Sequence, residues 1–268
     1  MICPMKQLLV GLLCGLTLLA QGGRPQQPEA MRKAIELDLA GDYARARAIL
    51  AKEVANAHRA MAMSFAFEGN CSKTVEYEEK VIAYWVTREK EEPKNAFYQQ
   101  GEMANEAARV CIDAGDLKTA EKWYQKGNEL GLKEPGISAD RRALWEYRLE
   151  HAKARLAARR GNRALAEKHV TSARVALDKM TELKKAQELF YPYLTGYVEL
   201  YTGDASGALA DLEKANQNDV FIQCLKADAM EKLGRKAEAM EIYKKLAGTR
   251  GHNPPAAYAV PLAKKKLQ

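Results

Sequence analysis

The strongest constraint in this chain of 268 residues is a glycine that keeps returning in one setting. It appears as Gly41-Asp42, Gly69-Asn70, Gly115-Asp116, Gly161-Asn162, Gly203-Asp204 and Gly234-Arg235. Five residues after each glycine stands Ala46, Thr74, Ala120, Ala166, Ala208 or Ala239. Seven residues before each stands Ala34, Ala62, Ala108, Ala154, Gly196 or Ala227. Glycine ends helices because it enters the left-handed region at little steric cost. The Asp or Asn that follows can cap the free N–H groups of the next helix. Small residues on both flanks let the two helices approach closely. The chain therefore reads as a string of helix–turn–helix units.

Between the turns, Ala, Leu, Glu, Lys and Arg dominate, and β-branched residues are sparse. These are helix formers. Apolar residues recur at spacings of three and four, as in Leu117, Ala120, Trp123 and Tyr124, and no alternating strand pattern or Asn-Gly hairpin occurs. The expected class is all-α. The turns divide it into helix pairs at 29–40 with 42–56, 57–68 with 70–91, and 95–114 with 116–130. The series continues as 139–160 with 162–180, 184–202 with 204–216, and 219–233 with 235–247. Pro93 and Pro135-Gly136 break the chain between pairs. Pro254-Pro255 opens a last segment, 254–268, expected as a polar cap whose Lys264, Lys265 and Lys266 are solvated or meet a membrane surface.

This register resembles the tetratricopeptide repeat over roughly residues 29–247. In that family, small residues before and after the turn glycine are signature positions. The family's aromatic nine residues past the glycine is matched by Tyr124 and Tyr243, with Leu50, Val170 and Leu212 as apolar substitutes; Glu78 departs. The Trp and Leu of the family's first helix are mostly missing. The glycine spacings of 28, 46, 46, 42 and 31 depart from a steady period. The resemblance implies a right-handed superhelix of about six repeats, in which each unit buries its apolar face against neighbours.

The N-terminus reads as an address. Lys6 precedes an uncharged apolar run from Leu8 to Ala20, short for a membrane span and suited to a signal peptide, with cleavage near Gly22. The reading is thus a signal peptide at 1–22 and a single helical-repeat domain at 23–268, periplasmic or secreted. The full chain carries a formal charge of +7, and Lys6 is the only charged residue in the first 22. Cys71, Cys111 and Cys224 remain after cleavage. An oxidising compartment permits one disulfide. In the repeat register, Cys71 opens a second helix and Cys111 lies four residues before the next turn, so stacked repeats bring the two together. The alternative is three buried thiols acting as small apolar groups.

Motifs for chemistry are absent. The four histidines form no His-Glu-x-x-His pair, and there is no Cys-x-x-Cys, phosphate loop or Gly-x-Ser-x-Gly elbow. Acid runs such as Glu76, Glu78 and Glu79 read as solvated helix faces. No enzyme activity, cofactor or metal is expected.

The resemblance also implies a concave surface lined by first helices. Carrying its register over selects Asn105 and Arg109, then Arg148, His151, Arg155 and Arg159, then Phe190, Tyr193, Tyr197 and Tyr201. Spacings of three and four put each set on one helix face. Arg forks suit carboxylates, and Tyr offers rigid amphipathic contact. The expected function is therefore an exported, non-catalytic scaffold binding a protein or peptide, or alternatively a cell-wall polysaccharide through the tyrosines. The competing readings are inter-repeat packing for the tyrosines and ion pairs with acids such as Glu150 for the arginines. The family's clamp for chain-end carboxylates needs an Asn just after the small position. Ile35, Met63, Arg109, Arg155, Tyr197 and Asp228 stand there instead. The basic charge is spread along the chain and, with export, argues against nucleic acid.

Overall fold

The structure is a computed structural model that describes residues 28–268. The signal-peptide segment 1–22 lies outside the described residues. The described residues fall into two compact units, divided between Leu50 and Ala51. The described residues form helices and no strands.

In the first unit, α1 (Glu29–Leu39) and the opening of α2 (Tyr43–Phe67) flank Gly41 at φ 81°. Ala34 and Ala46, the small positions of this turn, are both fully buried.

The second unit holds the rest of α2, then α3 (Cys71–Thr87), α4 (Pro93–Asp113), α5 (Leu117–Leu132), α6 (Ala139–Arg159) and α7 (Arg163–Asp178). It continues through α8 (Lys184–Glu188), α9 (Tyr191–Thr202), α10 (Ala205–Leu212), α11 (Val220–Lys232), α12 (Lys236–Ala247) and α13 (Pro254–Lys266). Its five register glycines, Gly69, Gly115, Gly161, Gly203 and Gly234, all have φ between 69° and 100°. At each turn the residue after glycine donates its backbone N–H to the carbonyl five residues back, as Asp116 does to Cys111 at 2.9 Å. That 6→1 bond closes the helix C-terminus. Asn70, Asp116, Asn162 and Asp204 then accept from the N–H three residues ahead and start the next helix. Ala62, Thr74, Ala108, Ala120, Ala154, Ala166, Ala208, Ala227 and Ala239 are fully buried, and Gly196 is buried too. A Cβ on Gly196 would lie 2.8 Å from Leu212 Cγ, so a glycine is needed at this close crossing.

Three boundaries differ from expectation. The helices expected at 42–56 and 57–68 are one helix, because 51–59 contains neither Gly nor Pro to stop it. The helix expected at 184–202 is broken into α8 and α9, with Pro192 in the first turn of α9, where its missing N–H is harmless. The segment 254–268 is not a polar cap. It is a helix that buries Pro254, Ala256, Ala257, Ala259, Val260 and Ala263, leaving Lys264 and Lys265 exposed.

Consecutive helices pack as neighbours from α3 to α7 and from α9 to α13, and α6 and α11 each also touch α9. Helix α13 packs on α11 and α12 and also on α4. Its Ala257 joins Ala62, Met63, Ala66 and Val110, and Tyr258 lies 4.8 Å from the Phe221 ring. The C-terminal helix therefore straps the end of this unit back to its beginning. Cys71 at the head of α3 and Cys111 near the foot of α4 are disulfide-bonded, with Cα atoms 4.6 Å apart, and Cys224 is a buried thiol.

Candidate binding cavity

One face each of α4, α5 and α6, with α8 and the starts of α9 and α13, line an open cavity of about 370 Å³. Spacing of three and four residues delivers its walls. Glu102, Asn105, Glu106 and Arg109 come from one face of α4, and Tyr147, Arg148, His151 and Arg155 from one face of α6. Tyr124 adds an edge from α5, Gln187, Phe190 and Tyr193 another, and Asn253, Pro254 and Pro255 close one side.

Of the residues selected from sequence, Asn105, Arg109, Arg148, His151, Arg155, Phe190 and Tyr193 meet in this cavity. Arg159, Tyr197 and Tyr201 do not line it. They form a polar and aromatic stack beside it. Arg159 donates to Tyr197 Oη at 3.4 Å and lies over Tyr201 at 4.9 Å. Tyr197 is fully buried. Arg155 is buried too. It donates through Nη1 to Tyr193 Oη at 3.2 Å and through Nη2 to Tyr124 Oη at 2.9 Å. Burial works against its charge, yet the fields of Tyr124, Tyr193, Tyr197 and Asp113 hold the guanidinium above its usual range. Burial in turn pushes the Asp113 carboxyl up to about 6, against the pull of Arg109, Arg155 and Arg159.

The ion pairs differ from expectation as well. Arg148 pairs with Glu102, and Glu106 with Arg59. Glu150 pairs with Lys153 and His169 and with no arginine among the described residues. Arg109 has neither an ion pair nor a hydrogen bond among the described residues, and its guanidinium lies 5.6 Å from the Phe221 ring centre. Burial, and then the Arg155 charge, drive the His151 pKa well down, which favours the neutral ring. No group of three or more metal-binding side chains is assembled among the described residues, and none of the described helices is long and apolar enough to cross a membrane.

Sequence reasoning missed Tyr124 because its place nine residues past Gly115 reads as repeat packing. It missed Glu102 and Glu106, although both share the helical face of Asn105 and Arg109. Asn253, Pro254 and Pro255 carry no local signal, since they reach the cavity through the fold of α13. Neither family models, curated proteins nor solved structures match this chain.

Proposed function

We propose that this protein is an exported, non-catalytic binding scaffold of tetratricopeptide-like build that takes a segment of a partner protein or peptide into the α4–α6 cavity. Six left-handed turn glycines and twelve buried small positions support the repeat reading. The apolar run from Leu8 to Ala20 behind Lys6 supports export. One observation carries the binding role. Three arginines, an asparagine and a histidine from α4 and α6 converge with aromatic rings on one concave cavity, the arrangement of a ligand site. No side chains there form a nucleophile–base pair, so binding accounts for the geometry better than catalysis does. Polymer binding through the tyrosines is less well supported, because Tyr197 is fully buried and Tyr193 nearly so.

The test is affinity capture from native envelope extract with wild type and Arg109→Glu, both checked for unchanged helical circular dichroism. A protein recovered by wild type and lost by the variant supports the cavity as the interface. Equal recovery moves the interface elsewhere and overturns this reading.

A further inference from the structure

We infer that the α4–α6 cavity binds a carboxylate carried on a flat apolar body, with Arg109 and Asn105 as the carboxylate's partners. The inference rests on the binding role proposed above and names the chemistry it takes.

Charge accounting isolates Arg109. Glu102 is taken by Arg148, Glu106 by Arg59, and Arg155 is committed to two phenol oxygens. Asp113, one helical turn beyond Arg109 on α4, feels the Arg109 charge before those of Arg155 and Arg159, but no hydrogen bond or ion pair joins the two among the described residues, and Asp113 lines a different cavity with Tyr258 and Pro261. Arg109 therefore presents a half-buried guanidinium whose five N–H donors have no acceptor among the described residues. Half-buried donors left unmade are costly, and a planar carboxylate matches the guanidinium fork with two parallel bonds. Asn105 lies one helical turn away on the same face and is also free of hydrogen bonds among the described residues. Gly127 of α5 makes room for its amide. A Cβ there would stand 2.6 Å from Asn105 Oδ1. An Asn side chain can donate to the same carboxylate through its NH₂.

The remaining walls ask for an apolar, flat group. Tyr124, Tyr147, Phe190 and Tyr193 supply rings, and His151 adds a fifth. Aromatic faces and edges favour an aromatic guest over an aliphatic one of similar area. A volume of about 370 Å³, with Asn253, Pro254 and Pro255 across one side, suits a compact group such as a single ring with its carboxylate. The guest is therefore a free aromatic carboxylate or the last residue of a peptide.

Isothermal titration calorimetry on the purified protein tests this with 3-phenylpropionate, its neutral amide, acetate, and a hexapeptide ending in Phe with free or amidated C-terminus. The expected result is that 3-phenylpropionate binds at least tenfold tighter than its amide and than acetate. Arg109→Gln should remove at least that factor. Arg109→Lys keeps the charge without the fork, so it should keep the acid-over-amide preference at weaker affinity and guard against a folding artefact. If the free-acid peptide binds tighter still and its amide does not, a chain end is the guest; binding of the small acid alone points to a free metabolite. Acid and amide binding alike, Arg109→Gln binding as wild type, or no heat from any acid at millimolar concentration would overturn the inference. Captured protein that depends on Arg109 while every acid fails would leave the scaffold reading standing and remove only the carboxylate. Acids that bind where no protein is captured would do the reverse.

Discussion

The guanidinium of Arg155 donates through Nη2 to the phenol oxygen of Tyr124 at 2.9 Å, joining α6 to α5 in the cavity wall. Through Nη1 it also reaches Tyr193, and its charge feels the half-buried Asp113. Removing one partner of such a network leaves polar groups buried and unpaired. Arg155→Ala should therefore lose about 3 kcal/mol or more of stability, read as a shifted urea midpoint. Tyr124→Phe removes one hydrogen bond and should lose about 1 kcal/mol. Equal, small effects from both would mean that Arg155 is solvated.

Gly131 explains why the indole of Trp145 fits between helices. A Cβ there would stand 2.0 Å from Trp145 Cε2, and one on Gly101 2.4 Å from Cη2. Helix propensity alone favours Ala over Gly by about 1 kcal/mol. The clash with a fully buried ring should reverse the sign, so Gly131→Ala is expected to destabilise by about 1–3 kcal/mol. Gly248→Ala is the control. Its Cβ would meet only Lys245 O at 3.6 Å, so thermal melting should find it neutral or slightly stabilising.

Glu78 is fully buried, and neither carboxylate oxygen has a hydrogen-bond partner among the described residues. Burial, with the nearby Glu106 charge added, pushes its pKa up to about 9 despite Arg59. The unfolded chain titrates this group near about 4.3. Between these values the folded state binds the extra proton, so stability falls as pH rises, by about 1.4 kcal/mol per unit at most. Glu78→Gln should abolish that slope and exceed wild type at alkaline pH. Parallel melting curves from pH 5 to 9 check it, and identical pH dependence would show that Glu78 is charged in the fold.

The disulfide between Cys71 and Cys111 closes a loop of sequence separation 40. Cross-linking a loop of this size restricts the unfolded chain and contributes about 2–4 kcal/mol. Cys71→Ser with Cys111→Ser should lower the denaturation midpoint by that amount. Alkylation of the unreduced, unfolded chain lacking its first 22 residues should label one thiol, Cys224. Three labelled thiols would contradict the bridge.

What was legible in the sequence is what local chemistry decides. Gly115 needs the left-handed region and Asp116 caps the next helix, and both effects act within six residues. Ala108 and Ala120 mark a helix crossing, and both are fully buried. The face carrying Asn105 and Arg109 follows from helical period alone. Other features depend on partners distant in the chain. Tyr197 reads as a ligand contact by register, yet it is buried under Arg159 and Tyr201, which only the packing of α6 on α9 decides. The burial of α13 reflects its packing on α11 and α12 and, more than 140 residues earlier, on α4. The pairing of Arg148 with Glu102, which leaves Arg109 free, is likewise set by how α4 meets α6.

The most direct test of the cavity as the binding site is site-specific photo-crosslinking. A benzoylphenylalanine replaces Gln187 at the cavity wall or, in a second variant, Lys122, which is exposed on α5 outside the lining. After illumination in native envelope extract, a discrete adduct is expected from position 187 and none from position 122. An adduct from 122 alone, or from neither position, would contradict the account.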